Sequence, residues 1–260
     1  MTWRGLLVSV RDAAEAIEAI EGGAAIIDIK EPRRGPLGMA DPAAAAAVAR
    51  VVGRRVPWTM ACGELADMEA AVAADRSGNP LVRVMDMLDG PAVPPAALKI
   101  GLASAAGTPW EDRLRILWDM LPVGPERVAV AYADWREASA PPPEDVIAAA
   151  AAIGCRTLLV DTFDKSAPGL FGCCPAASPA AWVAAARAAG MRVAIAGRIA
   201  MEQIPRAWSL GPDVVAVRSA VCFNGRDGTV RADLVRRAVG IGPAALMAAA
   251  DQAPSSGVRT

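Results

Sequence analysis

Eight times along this chain, a short β-branched or aliphatic run is followed by a longer, alanine-rich segment with helical patterning. The runs GLLVSV (5–10), AIIDIK (25–30), VPWTMAC (56–62), ALKIG (97–101), VAVAY (128–132), TLLVD (157–161), RVAIA (192–196) and DVVAV (213–217) read as strands. Segments 11–22, 41–52, 64–76, 110–121, 143–153, 178–189, 201–210 and 230–239 read as helices. Pro143-Glu144-Asp145 starts the fifth helix and Gly154 closes it, while Ser178 is the expected N-cap before Pro179, with Gly190 past the last turn. Strands alternating with helices imply parallel βαβ units. Eight such units in 260 residues predict an α/β fold, a single (β/α)8 TIM barrel over residues 1–244; a doubly wound open sheet is the structural rival. Segment 77–96 has no readable pattern, and 245–260 reads as a flexible tail.

Composition narrows the chemistry. Hydrophobic residues make up 54% and aromatic residues 4%, so the core must be mostly Ala, Val, Leu and Ile. A net charge of −1, with the signs interspersed, gives no field to attract nucleic acid or anionic lipid. The apolar runs are too short for a signal peptide or a membrane span, so a cytoplasmic protein is expected. Five cysteines without CxxC spacing read as reduced, mostly buried thiols. The complete lack of histidine removes Ser-His and Cys-His dyads, a histidine base and His-ligated metal sites. Trp3, Trp110, Trp118, Trp135 and Trp208 fall on expected surface elements; they point either to a homo-oligomer or to core anchors.

Only three of the 27 basic residues are lysines: Lys30, Lys99 and Lys165. In a barrel, strand residues alternate between the interior and the helical layer, and catalytic groups sit at the C-terminal strand ends. By that alternation Ile27 and Ile29 face out while Asp28 and Lys30 face in. Leu98 and Ile100 flank an inward Lys99, and Asp161 faces in at the end of the sixth strand, four residues before Lys165. Three amines and two carboxylates are thus expected at one mouth. Arginine keeps its proton, whereas lysine can be tuned toward the neutral, nucleophilic form. Mutual repulsion of the crowded ammonium groups is the expected cause of that tuning, and the aspartates would orient amines or shuttle protons. Buried Lys–Asp pairs serving only the fold are the structural alternative.

The last two strands supply a candidate phosphate cradle. Gly197 and Arg198 end strand seven, and Arg218 and Ser219 follow strand eight, the usual place for a barrel phosphate site. The RRGPLG loop after strand two offers Arg33 or Arg34 to a second anionic group. Small phosphorylated molecules are therefore the expected partners.

The stretches LLVSV, EAIEGGAAIIDIKEPRRGPLG, LKIGL, AYAD, LVDTFDK, VAIAGRI and VVAVRSAVC together resemble the (5-formylfuran-3-yl)methyl phosphate synthase family. This family, also described as 4-(hydroxymethyl)-2-furancarboxaldehyde phosphate synthase, works in methanofuran biosynthesis in methanogens and has relatives in methylotrophic bacteria. The resemblance implies a lyase that condenses two glyceraldehyde 3-phosphate molecules, without metal or organic cofactor. It assigns Lys30 to the Schiff base and Lys99 to proton acceptance, with Asp28, Asp161 and Lys165 assisting. The chain departs from the family pattern at Arg198, where a small hydroxyl residue is expected, and at Pro36. A class I aldolase or sugar-phosphate isomerase on the same barrel is the alternative enzyme, and a non-catalytic binding barrel a third reading.

Overall fold

The computed structural model describes residues 3–74, 93–121 and 123–242. Most of segment 77–96, and the expected tail at 245–260, lie outside the described residues. Eight parallel strands form a closed barrel in sequence order: β1 (Gly5–Val10), β2 (Ile26–Ile29), β3 (Trp58–Glu64), β4 (Ala97–Gly101), β5 (Glu126–Tyr132), β6 (Thr157–Asp161), β7 (Arg192–Ile195) and β8 (Val214–Val217). Pairing of β1 with β8, Gly5 against Val214 through Val8 against Val217, closes the ring. The fold is thus a single (β/α)8 barrel rather than an open sheet.

Helices α1 (Ala13–Glu21), α2 (Pro42–Val52), α3 (Leu65–Ala74), α4 (Trp110–Met120), α5 (Pro143–Ala150), α6 (Leu170–Cys173), α7 (Ser178–Ala188), α8 (Ile204–Ser209) and α9 (Ala232–Gly240) follow the strands. Expected and observed elements agree to within a few residues; the additions among the described residues include the short α6, single 3-10 turns at Pro32–Arg34 and Ser219–Val221, and a two-stranded hairpin of β9 (Cys222–Phe223) with β10 (Thr229–Val230). Ser178 is the first helical residue rather than the cap; Ala177 precedes it and makes no side-chain cap.

Strand alternation divides the core in two. Val8, Ile27, Ile29, Leu98, Ile100, Leu158, Val160 and Ile195 pack against the helices, whereas Leu7, Ile26, Val128, Val130, Leu159 and Ala194 fill the barrel. Of the five tryptophans singled out above, four are core anchors: Trp3, Trp110, Trp118 and Trp208 are buried, and Trp135 is half-buried. The cysteines are free thiols, Cys62, Cys155 and Cys222 buried. Among the described residues no helix is long and apolar enough to cross a membrane.

Candidate active site

Each lysine reaches the barrel mouth from a different element. Lys30 follows β2 and its amide donates to Val10 O at 3.1 Å, so the backbone stays registered on β1 beyond the strand's last ladder residue. Lys99 is the third residue of β4, and Lys165 lies in the loop after β6. Asp28, Lys30, Lys99 and Asp161 line one cavity of about 440 Å³ inside the mouth. Lys30, Asp161 and Lys165 also line an adjoining cavity of about 360 Å³. All five residues expected from strand alternation therefore meet there.

The three amines are in different states of pairing. Lys99 forms a buried ion pair with Asp28 and also donates to Thr59 Oγ1 at 3.2 Å. Asp28 is further held by Ser9 Oγ at 3.1 Å and Thr59 Oγ1 at 2.8 Å. Lys165 donates to Asp161 Oδ1 at 2.8 Å, to Thr162 Oγ1 at 3.2 Å and to the Thr162 carbonyl. Lys30 has no carboxylate within ion-pair distance among the described residues; its Nζ makes one long bond, 3.4 Å, to Pro36 O.

Burial lowers the Lys30 pKa from 10.5 to about 8. Asp161 and Asp28 pull it back up, and the charges of Lys165 and Lys99 add smaller downward contributions. The expected cause was repulsion between ammonium groups; desolvation is the larger one, because the other two cations are already matched by carboxylates. Asp161 lies below the usual carboxylate range: Lys165 and Lys30, with the Thr162 amide at 2.7 Å, overcome the opposing effect of burial.

The cradle residues divide as well. Gly197 (φ 101°) and Arg198 (φ 52°) turn the chain at the end of β7, and both line the smaller cavity with Ser219. A Cβ on Gly197 would press on Thr162 and Leu170. Among the described residues the amides of Gly197, Arg198 and Ile199 have no hydrogen-bond partner, a backbone arrangement suited to anions. The Arg198 side chain is bonded outward to Ala167 O. Arg218 is buried and bonded to Glu15 through Nη1 (2.8 Å) and Nη2 (3.0 Å), which occupies it with the protein. Arg34 of the β2 loop is tied to Asp41 at 2.8 Å, and Arg33 lines a wider outer cavity.

Two residues escaped the sequence reading. Glu64, at the end of β3, accepts from Tyr132 OH at 2.6 Å and from Ala103 N at 2.9 Å, and burial raises its pKa. The sequence pattern puts it at a helix start, whereas the strand runs on through Gly63 to include it. Arg226 lines both the smaller and the outer cavity, from a loop with no periodicity to reveal it.

Known proteins agree with this architecture. The (5-formylfuran-3-yl)methyl phosphate synthase of Archaeoglobus fulgidus is 31% identical over 239 residues, covering 88% of this chain and 95% of that one. The enzyme of the same name from Methanopyrus kandleri is 32% identical over 238 residues, covering 89% and 96%. Among solved structures, phosphoribosyl anthranilate isomerase from Thermotoga maritima superposes with a TM-score of 0.58 at 11% identity, covering 92% of this chain and 98% of its own. The 3-hexulose-6-phosphate synthase from Salmonella typhimurium does so with 0.58 at 15%, covering 91% and 97%. These two likenesses speak for the fold alone. The 4-HFC-P synthase family matches residues 6–239, and the chain belongs to that family.

Proposed function

We propose that this protein is a cytoplasmic lyase that condenses two molecules of glyceraldehyde 3-phosphate to (5-formylfuran-3-yl)methyl phosphate, releasing one phosphate and two waters. The observation that carries the reading is Lys30: a half-buried amine with no carboxylate at ion-pair distance among the described residues, its pKa lowered to about 8, beside two lysines that are each paired. Its neutral form adds to an aldehyde carbon, and the carbinolamine loses water to give an iminium. That cation makes the neighbouring C–H acidic; Lys99 first passes a proton to Asp28 across their ion pair and, as the neutral amine, accepts the carbon's proton, while Asp161 and Lys165 move protons around the iminium. The resulting enamine carbon bonds to the second aldehyde. Eliminations of phosphate and water, ring closure and release of Lys30 complete the furan. Gly197, Arg198 and Ser219 line the place where a phosphate group is held during these steps.

Incubation with glyceraldehyde 3-phosphate should produce the ultraviolet absorbance of a furan aldehyde. Borohydride should trap an adduct that peptide mass spectrometry maps to Lys30. In Lys30→Arg both signals should vanish while the fold persists, since charge is kept and nucleophilicity lost. Substantial furan formation by that variant would remove Lys30 from the nucleophile's role. An adduct with other phosphorylated carbonyl compounds but no furan would favour a class I aldolase instead.

A further inference from the structure

The loop leaving β8 carries two arginines with opposite circumstances. Arg218 uses every donor it has: Nε bonds Arg226 O (3.0 Å), Nη1 bonds Ser9 O (2.9 Å) and Glu15 Oε2 (2.8 Å), and Nη2 bonds Glu15 Oε1 (3.0 Å) and Gly228 O (3.1 Å). A guanidinium has five N–H groups, so none is left for a ligand. Arg226 is bonded, among the described residues, only through Nη2, to Pro32 O at 2.9 Å and Gly35 O at 3.4 Å. Among the described residues its Nε and Nη1 have no acceptor and no carboxylate pairs with it. Burial lowers its pKa, with Arg218 and Arg198 adding to the effect and the fields of Asp161 and Asp227 opposing it without direct contact. Its cavity is lined by Lys30, Lys165, Arg198 and Arg218 against one carboxylate, Asp161, and includes the unpartnered amides of 197–199. Such a space favours a compact anion with several acceptor oxygens.

We propose that Arg226 is the guanidinium that grips the substrate's phosphate monoester, opposite the Gly197–Ile199 backbone, and that the buried Glu15–Arg218 pair positions it. The proposal rests on the reading above that this cradle takes a phosphorylated aldehyde. Positioning follows from the bonds around residues 226–228: Arg218 donates to the carbonyls of Arg226 and Gly228, and Arg11 donates to those of Asp227 (3.3 Å) and Gly228 (3.2 Å). Both arginines converge on Glu15, which Arg11 meets at 2.9 Å. Arg226 in turn holds the β2 loop by two carbonyls, and the neighbouring carbonyl of Pro36 accepts from Lys30. Phosphate capture is thereby joined to the loop that touches the reactive amine.

The test uses inorganic phosphate and the purified full-length protein in titration calorimetry. Arg226→Gln should weaken phosphate binding about 10- to 100-fold, the loss expected for charge-assisted bonds; Arg115→Gln, which removes an exposed guanidinium of α4 paired with Asp112, should change it less than about threefold. Unchanged binding in Arg226→Gln, an equal loss in Arg115→Gln, or no binding by the wild type would overturn the assignment. Arg218→Lys should raise the phosphate Kd while borohydride trapping of unphosphorylated glyceraldehyde at Lys30 stays at the wild-type level. Loss of both signals, or of neither, would refute the positioning role. Phosphate binding needs no furan synthesis, so a wild type that makes no furan but loses phosphate with Arg226 would refute the proposed reaction alone.

Discussion

Lys30→Met should make the protein more stable at neutral pH while abolishing its chemistry. The magnitude follows from the lysine's displacement from 10.5 to about 8. At 1.36 kcal/mol per tenfold change in proton affinity, holding the ammonium form in this site costs roughly 3 kcal/mol relative to water. Lys30 is partly accessible through the mouth, and the variant also loses the long bond to Pro36 O, so a gain of about 1–2 kcal/mol is the expectation. The pH dependence identifies the source. Below about pH 8 lysine is protonated in both the folded and unfolded chain, and the folded state bears the full penalty. Between about 8 and 10.5 the folded lysine is neutral while the unfolded one still binds its proton, so wild-type stability from this group rises with pH. Urea unfolding followed by tryptophan fluorescence at pH 7 and pH 9.5 should therefore show a gap in favour of Lys30→Met that narrows at the higher pH. A variant no more stable than wild type at pH 7, or a gap indifferent to pH, would refute the claim that burial controls this amine.

Three further outcomes are expected. Covalent labelling of Lys30 by trinitrobenzenesulfonate should be half-maximal near pH 8, and a midpoint above 10 would contradict the lowered pKa. Asp28→Asn leaves the Lys99 ammonium buried without its counter-charge and should cost about 3–5 kcal/mol in urea unfolding; a loss under about 1 kcal/mol would mean that Ser9 and Thr59 alone satisfy the site. Gly101→Ala would drive a Cβ into the Glu64 carboxylate and within 2.5 Å of the Tyr132 hydroxyl, lowering stability by about 1–3 kcal/mol, a cost that should shrink when Glu64 is also replaced by Ala.

The sequence revealed the barrel because parallel strands covered by helices require apolar runs at regular intervals, and this chain has them with little interruption. It revealed which side chains face inward for the same reason: Lys30, Lys99 and Asp161 each break an apolar pattern on the interior side. Glu64 was hidden by an irregularity. The β3–β4 register shifts between Ala61 and Glu64, so strict alternation fails where the glutamate comes opposite Gly101. Arg226 was hidden because loops carry no period. Arg218 was legible as an arginine in the right loop but not as a saturated one, since its partners Ser9 and Glu15 are more than 200 positions away. Pairing across that distance is decided by barrel closure, which no local pattern records.

The balance of charge at the mouth explains why one amine is set apart. Lys99 with Asp28 and Lys165 with Asp161 account for two cations and two anions, so a protonated Lys30 is the excess charge of the cluster. Desolvation acts on that excess and favours the neutral amine, as a nucleophile requires. The same aspartates still pull its pKa upward, because their field reaches it without direct contact. In the proposed reaction this opposition has a use. The amine is uncharged when it attacks, and the iminium that forms afterwards restores a positive charge at the same point, where Asp161 and Asp28 stabilise it. Arginine could not serve, since it cannot give up its proton. A closer carboxylate on Lys30 would hold the ammonium form and suppress attack. The distance of the aspartates from Lys30, with their direct bonds committed to Lys99 and Lys165, lets one cavity favour a neutral reactant and a cationic intermediate in turn.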